Sequence, residues 1–422
     1  MWEKQASFPF CECGVEMIRV LKDKHIVLGV TGSIAAFKAA GLASQLTQAG
    51  ANVDVVMTRE AAQFITPLTL ESLTHRPVVT DVMALLANSE IGHVALGRGA
   101  DLLLVAPATA HTIAKLALGL ADDAVSATAL DTRAPLVIAP AMETGMWEHA
   151  ATRENAQKLA ARGAVVVEPD VGHLASGASG LGRLAELDDI IDVVRATLGR
   201  GGDLAGRKIV VTAGGTQEPM DPVRVIANHS SGKMGFALAE CARDRGARVT
   251  LIAGTTALRT PRGMEFMTAT QACEMQDAVL GSITDADALI MAAAVADFRP
   301  ARAEEQKIKK GDTDTLTLQL VKNPDILRQV KAWREQTHHA MIVVGFAAET
   351  QDLVANAQAK LQAKQLDLIV ANPVPQSFGS DKEQAILIER GGPVREMPPL
   401  TKEELAEEIL GFIAKRLQTP LV

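Results

Sequence analysis

A chain of 422 residues that is 48% hydrophobic and 22% charged is globular and long enough for two domains, with room for a third. With 50 acidic against 42 basic side chains, a net charge of −8, no tyrosine and 3% aromatics, it offers neither a general nucleic-acid footprint nor a base-stacking platform. No apolar run reaches bilayer length, so no membrane contact is expected, and small anionic ligands must be held by local loops.

Residues 1–23 read as an N-terminal extension expected to be disordered. They lack a basic start followed by a long apolar core, so no signal peptide is read there and a cytoplasmic location is expected; Met17 is a candidate start. The four cysteines, Cys11, Cys13, Cys241 and Cys273, are too few and too scattered for a disulfide scaffold. Cys11 and Cys13 have no two further Cys or His ligands nearby, so they read as part of an irregular start rather than a metal site.

From residue 24 short apolar runs at 25–30, 53–57, 102–106, 136–139 and 165–167 alternate with helical stretches, the first over 34–48. Three glycines, Gly199, Gly201 and Gly202, break the pattern and mark 199–206 as a linker. The alternation restarts at 209–212, 249–253, 288–293, 342–346, 368–371 and 385–388. The expectation is an α/β protein of two Rossmann-like three-layer domains with mostly parallel sheets, over 24–198 and 207–422. Each should hold its ligand at the C-terminal ends of its strands.

After the first strand, Thr31-Gly32-Ser33-Ile34-Ala35-Ala36-Phe37-Lys38 is a small-residue turn into a helix, suited to cradling one phosphate. Strand two ends in Met57-Thr58-Arg59 with no acidic residue at the tip, although Glu60 follows, and this favours a mononucleotide such as FMN over NAD. Pro107-Ala108-Thr109 and Pro140-Ala141-Met142 place small residues where a flat ring can lie. His93 has the chemistry of a base, but a lone histidine is more often structural, and His111, His149 and His173 take the same reading.

In the second half, Gly214-Gly215-Thr216-Gln217-Glu218-Pro219-Met220-Asp221-Pro222-Val223-Arg224 runs on to Asn228-His229-Ser230-Ser231-Gly232-Lys233-Met234-Gly235, between a strand and a helix. Backbone donors of such a loop and of the helix start point at an anion. The spacing fits neither the dinucleotide nor the Walker pattern, and a purely structural turn stays open. Lys360 and Lys364 share a helix face, and Lys307-Ile308-Lys309-Lys310 is a charge run; both are solvated surface by default.

Taken together, Thr31-Gly32-Ser33-Ile34-Ala35-Ala36 with Lys38, His93, Pro107-Ala108-Thr109, Pro140-Ala141-Met142 with Met146-Trp147, Gly214-Gly215-Thr216, Asn228 with Ser230-Ser231-Gly232-Lys233-Met234-Gly235, Ala293-Ala294-Val295-Ala296-Asp297, Lys307-Ile308-Lys309-Lys310 and Lys322-Asn323-Pro324-Asp325 resemble one family. It is the bifunctional phosphopantothenoylcysteine decarboxylase/phosphopantothenate-cysteine ligase of coenzyme A synthesis, and the resemblance covers about residues 24–416.

The resemblance implies a ligase half that activates 4′-phosphopantothenate with CTP as an acyl-cytidylate, which the amine of cysteine then attacks. By it Asn228 and Lys307 are catalytic, Asn228 holding the acyl-cytidylate. Ala292, Ala293, Asp297, Pro324, Asp325, Ile326, Leu327, Phe346, Lys360 and Lys364 become substrate positions. Mg2+ is expected with CTP, and no metal ligands are assigned.

It also implies an FMN-dependent decarboxylase half producing 4′-phosphopantetheine. Gly32, Ser33, Ile34, Lys38, Thr58, Pro107, Ala108 and Thr109 would hold FMN, His93 would be the active-site histidine, and Met146 would face substrate. Two positions depart from the family. Glu143 replaces an asparagine that binds the substrate carboxylate, and a carboxylate there would repel it. Ser176 replaces the cysteine that serves as acid, and a hydroxyl is a far weaker acid than a thiol. One alternative keeps the ligase and makes 24–198 a non-catalytic FMN-binding oligomerisation domain; another is an NAD-dependent oxidoreductase. A homo-oligomer is expected from the resemblance.

Overall fold

The computed structural model describes residues 19–86, 90–309, 315–349, 351–373 and 382–418. The chain separates into two compact units, Met1–Leu198 and Gly199–Val422.

In the first unit β1 (His25–Val30), β2 (Asn52–Met57), β3 (Val78–Val79), β4 (Leu102–Ala108), β5 (Leu136–Pro140) and β6 (Val165–Val166) form one sheet in the order β3-β2-β1-β4-β5-β6. Every pairing in it is parallel. Both faces carry helices, which is why the central strands are apolar throughout rather than alternating with polar residues. The strand period of two still sorts them: Ile26, Leu28, Leu102 and Leu104 enter one core, and Val27, Leu103 and Val105 the other. The helix expected over 34–48 starts as a tighter 3-10 turn, Ile34–Lys38, because Ser33 caps it by accepting from the N–H of Ala35; α-helix follows over Ala39–Gln48. An antiparallel hairpin of β7 (Asp170–His173) and β8 (Ser179–Arg183) follows the sheet.

Residues 1–18 of the expected extension lie outside the described residues. Its last part is ordered: residues 19–23 make a turn that buries Leu21 completely in the core, an apolar contact strong enough to hold a short terminal segment.

The second unit contains β9 (Lys208–Ala213), β10 (Gln217–Pro219), β11 (Val225–Ala227), β12 (Arg248–Ala253), β13 (Glu265–Thr268), β14 (Ala288–Met291), β15 (Phe298–Pro300), β16 (Leu320–Lys322), β17 (Ile342–Glu349), β18 (Leu368–Pro373), β19 (Lys382–Glu383), β20 (Ile386–Glu389) and β21 (Val394–Glu396). The main sheet runs β13-β12-β9-β14-β17-β18-β20-β21. Its first six strands are parallel, and β20 and β21 close it antiparallel. β10 pairs with β11, and β15 with β16, as small hairpins beyond the strand ends.

The stretch read as a linker is packed into this unit. Leu204 is fully buried and its N–H donates to the carbonyl of Arg245 at 3.0 Å. A Cβ on Gly199 or Gly202 would lie 2.3 Å from the carbonyl oxygen of Asp244 or Arg245, so these glycines permit close backbone approach rather than looseness.

Both sheets reverse strand order beside their first strand, between β1 and β4 and between β9 and β14. Such a reversal favours a crevice at the C-terminal ends of the strands, and Pro107 to Thr109 in the first unit and Ala292 and Ala293 in the second follow or end the strands beside it.

Candidate functional sites

The first-unit crevice is built around Thr31, a buried residue just past β1. Its hydroxyl donates to the carbonyl of Pro107 at 2.7 Å and accepts from the N–H of Thr109 at 3.0 Å, tying the two strand ends together. On the β1 side lie Gly32, Ser33, Ile34 and Lys38. Ser33 Oγ accepts from Ala35, which leaves its proton to donate outward. Ile34 and Phe37 present large exposed apolar side chains, at 54% and 59%. Pro107 and Ala108 are buried at the end of β4, and Thr109 caps the helix Ala110–Leu118 by accepting from Thr112. Thr58, buried just past the end of β2, accepts from the N–H of Ala61 at 3.3 Å, which leaves its hydroxyl proton unused by that bond. Glu60 packs its own Cβ into the space a side chain at Gly32 would need, 2.4 Å from that Cβ position, so the turn after β2 fills the crevice on that side.

His93 sits on the separate helix Gly92–Gly99, half-buried, with Nδ1 2.9 Å from the carbonyl oxygen of Val82. A carbonyl only accepts, so Nδ1 carries the proton and Nε2 is left as the basic nitrogen.

Glu143 and Met146 belong to the segment after β5. Met146 is exposed on the short helix Thr144–Glu148. Glu143 occupies the N-cap position of that helix without capping it; its carboxylate accepts from Ser176 instead, from Oγ at 2.9 Å and from the backbone N–H at 3.3 Å. The two departures from the family pattern, 33 residues apart, are therefore in direct contact.

The second-unit crevice repeats the threonine device. Thr212 in β9 is fully buried and its hydroxyl accepts from the N–H of Ala293 at 3.1 Å, joining β9 to the segment after β14 where Ala292 and Ala293 lie. Beyond it, Ala294 donates to Gly214 at 2.8 Å, Thr255 to Gly215 at 2.9 Å, and Ala296 to the buried Thr216 hydroxyl at 2.9 Å. Asn228, exposed after β11, donates from Nδ2 to the carbonyl of Val295 at 3.1 Å, so its Oδ1 faces the other way. Asn323 donates to the carbonyl of Ala296 at 2.8 Å, and its backbone N–H to that of Asp297. Gly232 starts the helix Lys233–Asp244 with φ of 80°, left-handed backbone that glycine adopts without strain.

Lys307 is exposed, but its neighbour is clamped. The buried carboxylate of Asp221 accepts from the N–H groups of Val223, Arg224 and Ile308 at 2.8, 2.8 and 3.1 Å and pairs with the Arg224 guanidinium, which donates in turn to the carbonyl of Ile308 at 2.6 Å. Burial alone would push this carboxyl up. The N–H donors and the guanidinium outweigh it and hold the carboxyl well below the usual range. Lys310 lies outside the described residues.

Pro324 to Leu327 form the start of the helix Ile326–Thr337, with Asp325 capping it by accepting from Arg328 at 3.0 Å. Lys364 pairs with Asp325, and Lys360 donates to the carbonyl of Phe346 at 2.8 Å. Burial raises the Asp325 carboxyl; Lys364 and the Arg328 N–H prevail and hold it below its ordinary value. The two lysines thus reach separate acceptors in the protein.

Sequence reasoning missed Thr31 and Thr212 as ties, the Asp221 clamp and the Glu143–Ser176 contact. A Val-Thr pair ending both first strands was a readable signal for the ties, and the Asp-x-x-Arg turn for the clamp. Among the described residues no cluster of three or more His, Cys, Asp or Glu side chains forms a metal site, and no helix is long and apolar enough to cross a membrane.

Residues 16–199 match the family described as Flavoprotein, and 204–417 the family described as the DNA/pantothenate metabolism flavoprotein C-terminal domain. The coenzyme A biosynthesis bifunctional protein CoaBC of Mycobacterium tuberculosis is 45% identical over 403 residues, 92% of this chain and 96% of that relative. The protein of the same description from Bacillus subtilis is 43% identical over 401 residues, covering 94% and 98%. A crystal structure of the C-terminal domain of such a protein covers 51% of this chain and 98% of its own, at 35% identity and a TM-score of 0.44. With both halves matched in order and relatives aligned over nearly their whole length, the chain belongs to the family of bifunctional coenzyme A biosynthesis proteins.

Proposed function

We propose that this protein joins 4′-phosphopantothenate to cysteine at the expense of CTP and then decarboxylates the product, phosphopantothenoylcysteine, to 4′-phosphopantetheine. The observation that supports this reading is that some family-matched residues of each unit meet at the strand ends beside its strand-order reversal, Thr109 held by Thr31 in the first and Ala293 held by Thr212 in the second.

In the second unit the N–H groups of Gly215 and Thr216, read from the sequence as anion donors, are taken by the carbonyls of Thr255 and Ala294, so phosphate would fall to the start of the helix Lys233–Asp244. The substrate carboxylate attacks the α-phosphorus of CTP and pyrophosphate leaves; the cysteine amine then attacks the acyl carbon and CMP leaves. Asn228, oriented by Val295, positions the acyl-cytidylate, and Lys307 neutralises charge as it develops. Lys360 and Lys364 would exchange their present acceptors for phosphate oxygens. Asp297 and the Pro324 to Leu327 turn would border the nucleotide, with Ala292, Ala293 and Phe346 beside it. Mg2+ would come with the triphosphate, carried on its oxygens rather than in a protein cage.

In the first unit the residues fit FMN. Ser33 offers a hydroxyl proton at the turn, Ile34 and Phe37 offer apolar surface, and Thr144 Oγ1 is a buried polar atom without a protein partner. Gly32, Ser33, Ile34, Lys38, Thr58 and Pro107 to Thr109 would hold the cofactor. Bound FMN supplies the two-electron chemistry that makes the carboxylate a leaving group. His93, basic at Nε2, takes the substrate thiol proton, and Met146 borders the substrate.

The test supplies 4′-phosphopantothenate, cysteine, CTP and Mg2+ to the purified protein. CMP, pyrophosphate and CO2 should form in equal amounts. CMP without CO2 from yellow, FMN-loaded protein would reduce the first unit to a flavin-binding scaffold, and no CMP would overturn the ligase.

A further inference from the structure

The contact between Glu143 and Ser176 is more than a neighbourly hydrogen bond, for three geometric reasons. First, both carboxylate oxygens are engaged by one residue, Oε2 by the hydroxyl and Oε1 by the backbone N–H. Second, Glu143 stands at the start of the helix Thr144–Glu148, where a side chain ordinarily accepts from the helix's own free N–H groups, and it leaves that role undone. Third, the β7–β8 hairpin that carries Ser176 at its tip is fitted closely onto the same segment.

The base of the hairpin is seated by backbone. Met142 donates to the carbonyl of Gly182 at 2.9 Å. A Cβ on Gly182 would lie 2.2 Å from the carbonyl oxygen of Met142, and one on Gly180 2.2 Å from Thr144 Oγ1, so nothing larger than glycine lets β8 lie this close. Toward the tip the fit loosens at Gly177, where a Cβ would meet nothing within 4 Å. The tip turns on itself through Leu174 N–H to Ala178 and Gly177 N–H to Leu174, at 2.8 and 3.0 Å, with Leu174 as its buried anchor. Ser176 adds the polar tie that joins the tip to the 142–144 floor.

We propose that Glu143 is a positioning residue that latches the tip of the β7–β8 hairpin over the 142–144 segment through Ser176, so that the two side chains act as one unit. An ionised carboxylate bound by two donors makes a charge-assisted pair of contacts. Its oxygens are turned to the Ser176 donors, which would relieve the repulsion expected of a glutamate beside a substrate carboxylate. An asparagine at 143 would set an amide NH2 against one of the two donors, and a cysteine at 176 donates only weakly. Either change alone weakens the latch. The catalytic consequence rests on the decarboxylase reading above; the latch itself does not.

The test is a double-mutant cycle on the full-length protein, read by amide hydrogen exchange over residues 174–178. The variants are Glu143→Ala, Ser176→Ala and both together. Glu143→Ala removes both acceptors and should speed exchange at the tip about 5- to 10-fold; Ser176→Ala removes the hydroxyl contact and keeps the backbone N–H to Oε1, so it should speed exchange less, and adding it to Glu143→Ala should change nothing further. Amides of β4 serve as the internal control for an intact fold. Unchanged exchange in the single variants, or a double effect equal to the product of the singles, overturns the latch.

A second cycle measures CO2 release from phosphopantothenoylcysteine with Glu143→Asn, Ser176→Cys and the pair. Both singles should be slower than the double; singles as fast as the double overturn the coupling. If neither wild type nor any variant releases CO2, the decarboxylase reading fails, while the exchange cycle still decides the latch.

Discussion

Asp221 and Asn228 show how much of the second site is held by single side chains. Because the Asp221 carboxyl titrates lower folded than unfolded, it contributes stability that is present above its unfolded pKa of about 3.9 and is lost as pH falls toward the folded value. Asp221→Asn should therefore melt below wild type at pH 7, with the gap narrowing as pH drops below about 4. A gap independent of pH in thermal melts would show that the charge is not what the clamp uses. Since the clamp holds Ile308, the same variant should lower ligase kcat through a displaced Lys307. At Asn228 the amide orientation matters: Asn228→Asp would place a carboxylate oxygen against the Val295 carbonyl and another negative charge beside the acyl phosphate. Loss of one aimed group of this kind costs on the order of 100-fold or more. CMP formation at wild-type rate in Asn228→Asp would remove the residue from the reaction.

At the scale of elements, the proposed function makes the turns after β1 and β9 the segments that would meet each unit's ligand. Ser33→Asp puts a negative charge where a phosphate would sit and removes the outward hydroxyl proton, so the purified variant should lose FMN and its yellow colour. Stoichiometric flavin in that variant would move the cofactor elsewhere. The helix after the second turn is equally constrained, since a Cβ at Gly235 would fall 2.5 Å from the Cβ of Ala213. Gly235→Ala should cost roughly 1–3 kcal/mol by forcing the helix off β9, measured by chemical denaturation. These elements were legible in the sequence because buried parallel strands are continuous apolar runs and the turns after them are rich in glycine and serine. The β7–β8 hairpin was not, since its short strands are polar and glycine-rich and their place is set by the backbone of 142–144. Contacts such as Glu143 to Ser176 join distant segments and leave no local pattern to read.

For the molecule as a whole, the break in sequence pattern and the break in structure lie close together but differ in kind. Three glycines in a short stretch resemble a flexible tether, and local composition carries no sign of what packs against them. The structure attaches 199–206 to the second unit through buried Leu204, its hydrogen bond to Arg245, and the ion pair of Asp203 with that same arginine at 2.6 Å. A fragment beginning at residue 199 should therefore be more stable than one beginning at 207. Removing a fully buried leucine alone accounts for about 2–5 kcal/mol, with the exposed carboxylate of Asp203 adding little. Both fragments retain every second-unit candidate residue, so they separate a structural effect from a catalytic one. Urea midpoints should differ while ligase rates, measured well below the transition of either fragment, agree. Equal midpoints would make the stretch a tether after all, and a ligase rate lost only in the shorter fragment would place part of the active site before residue 207.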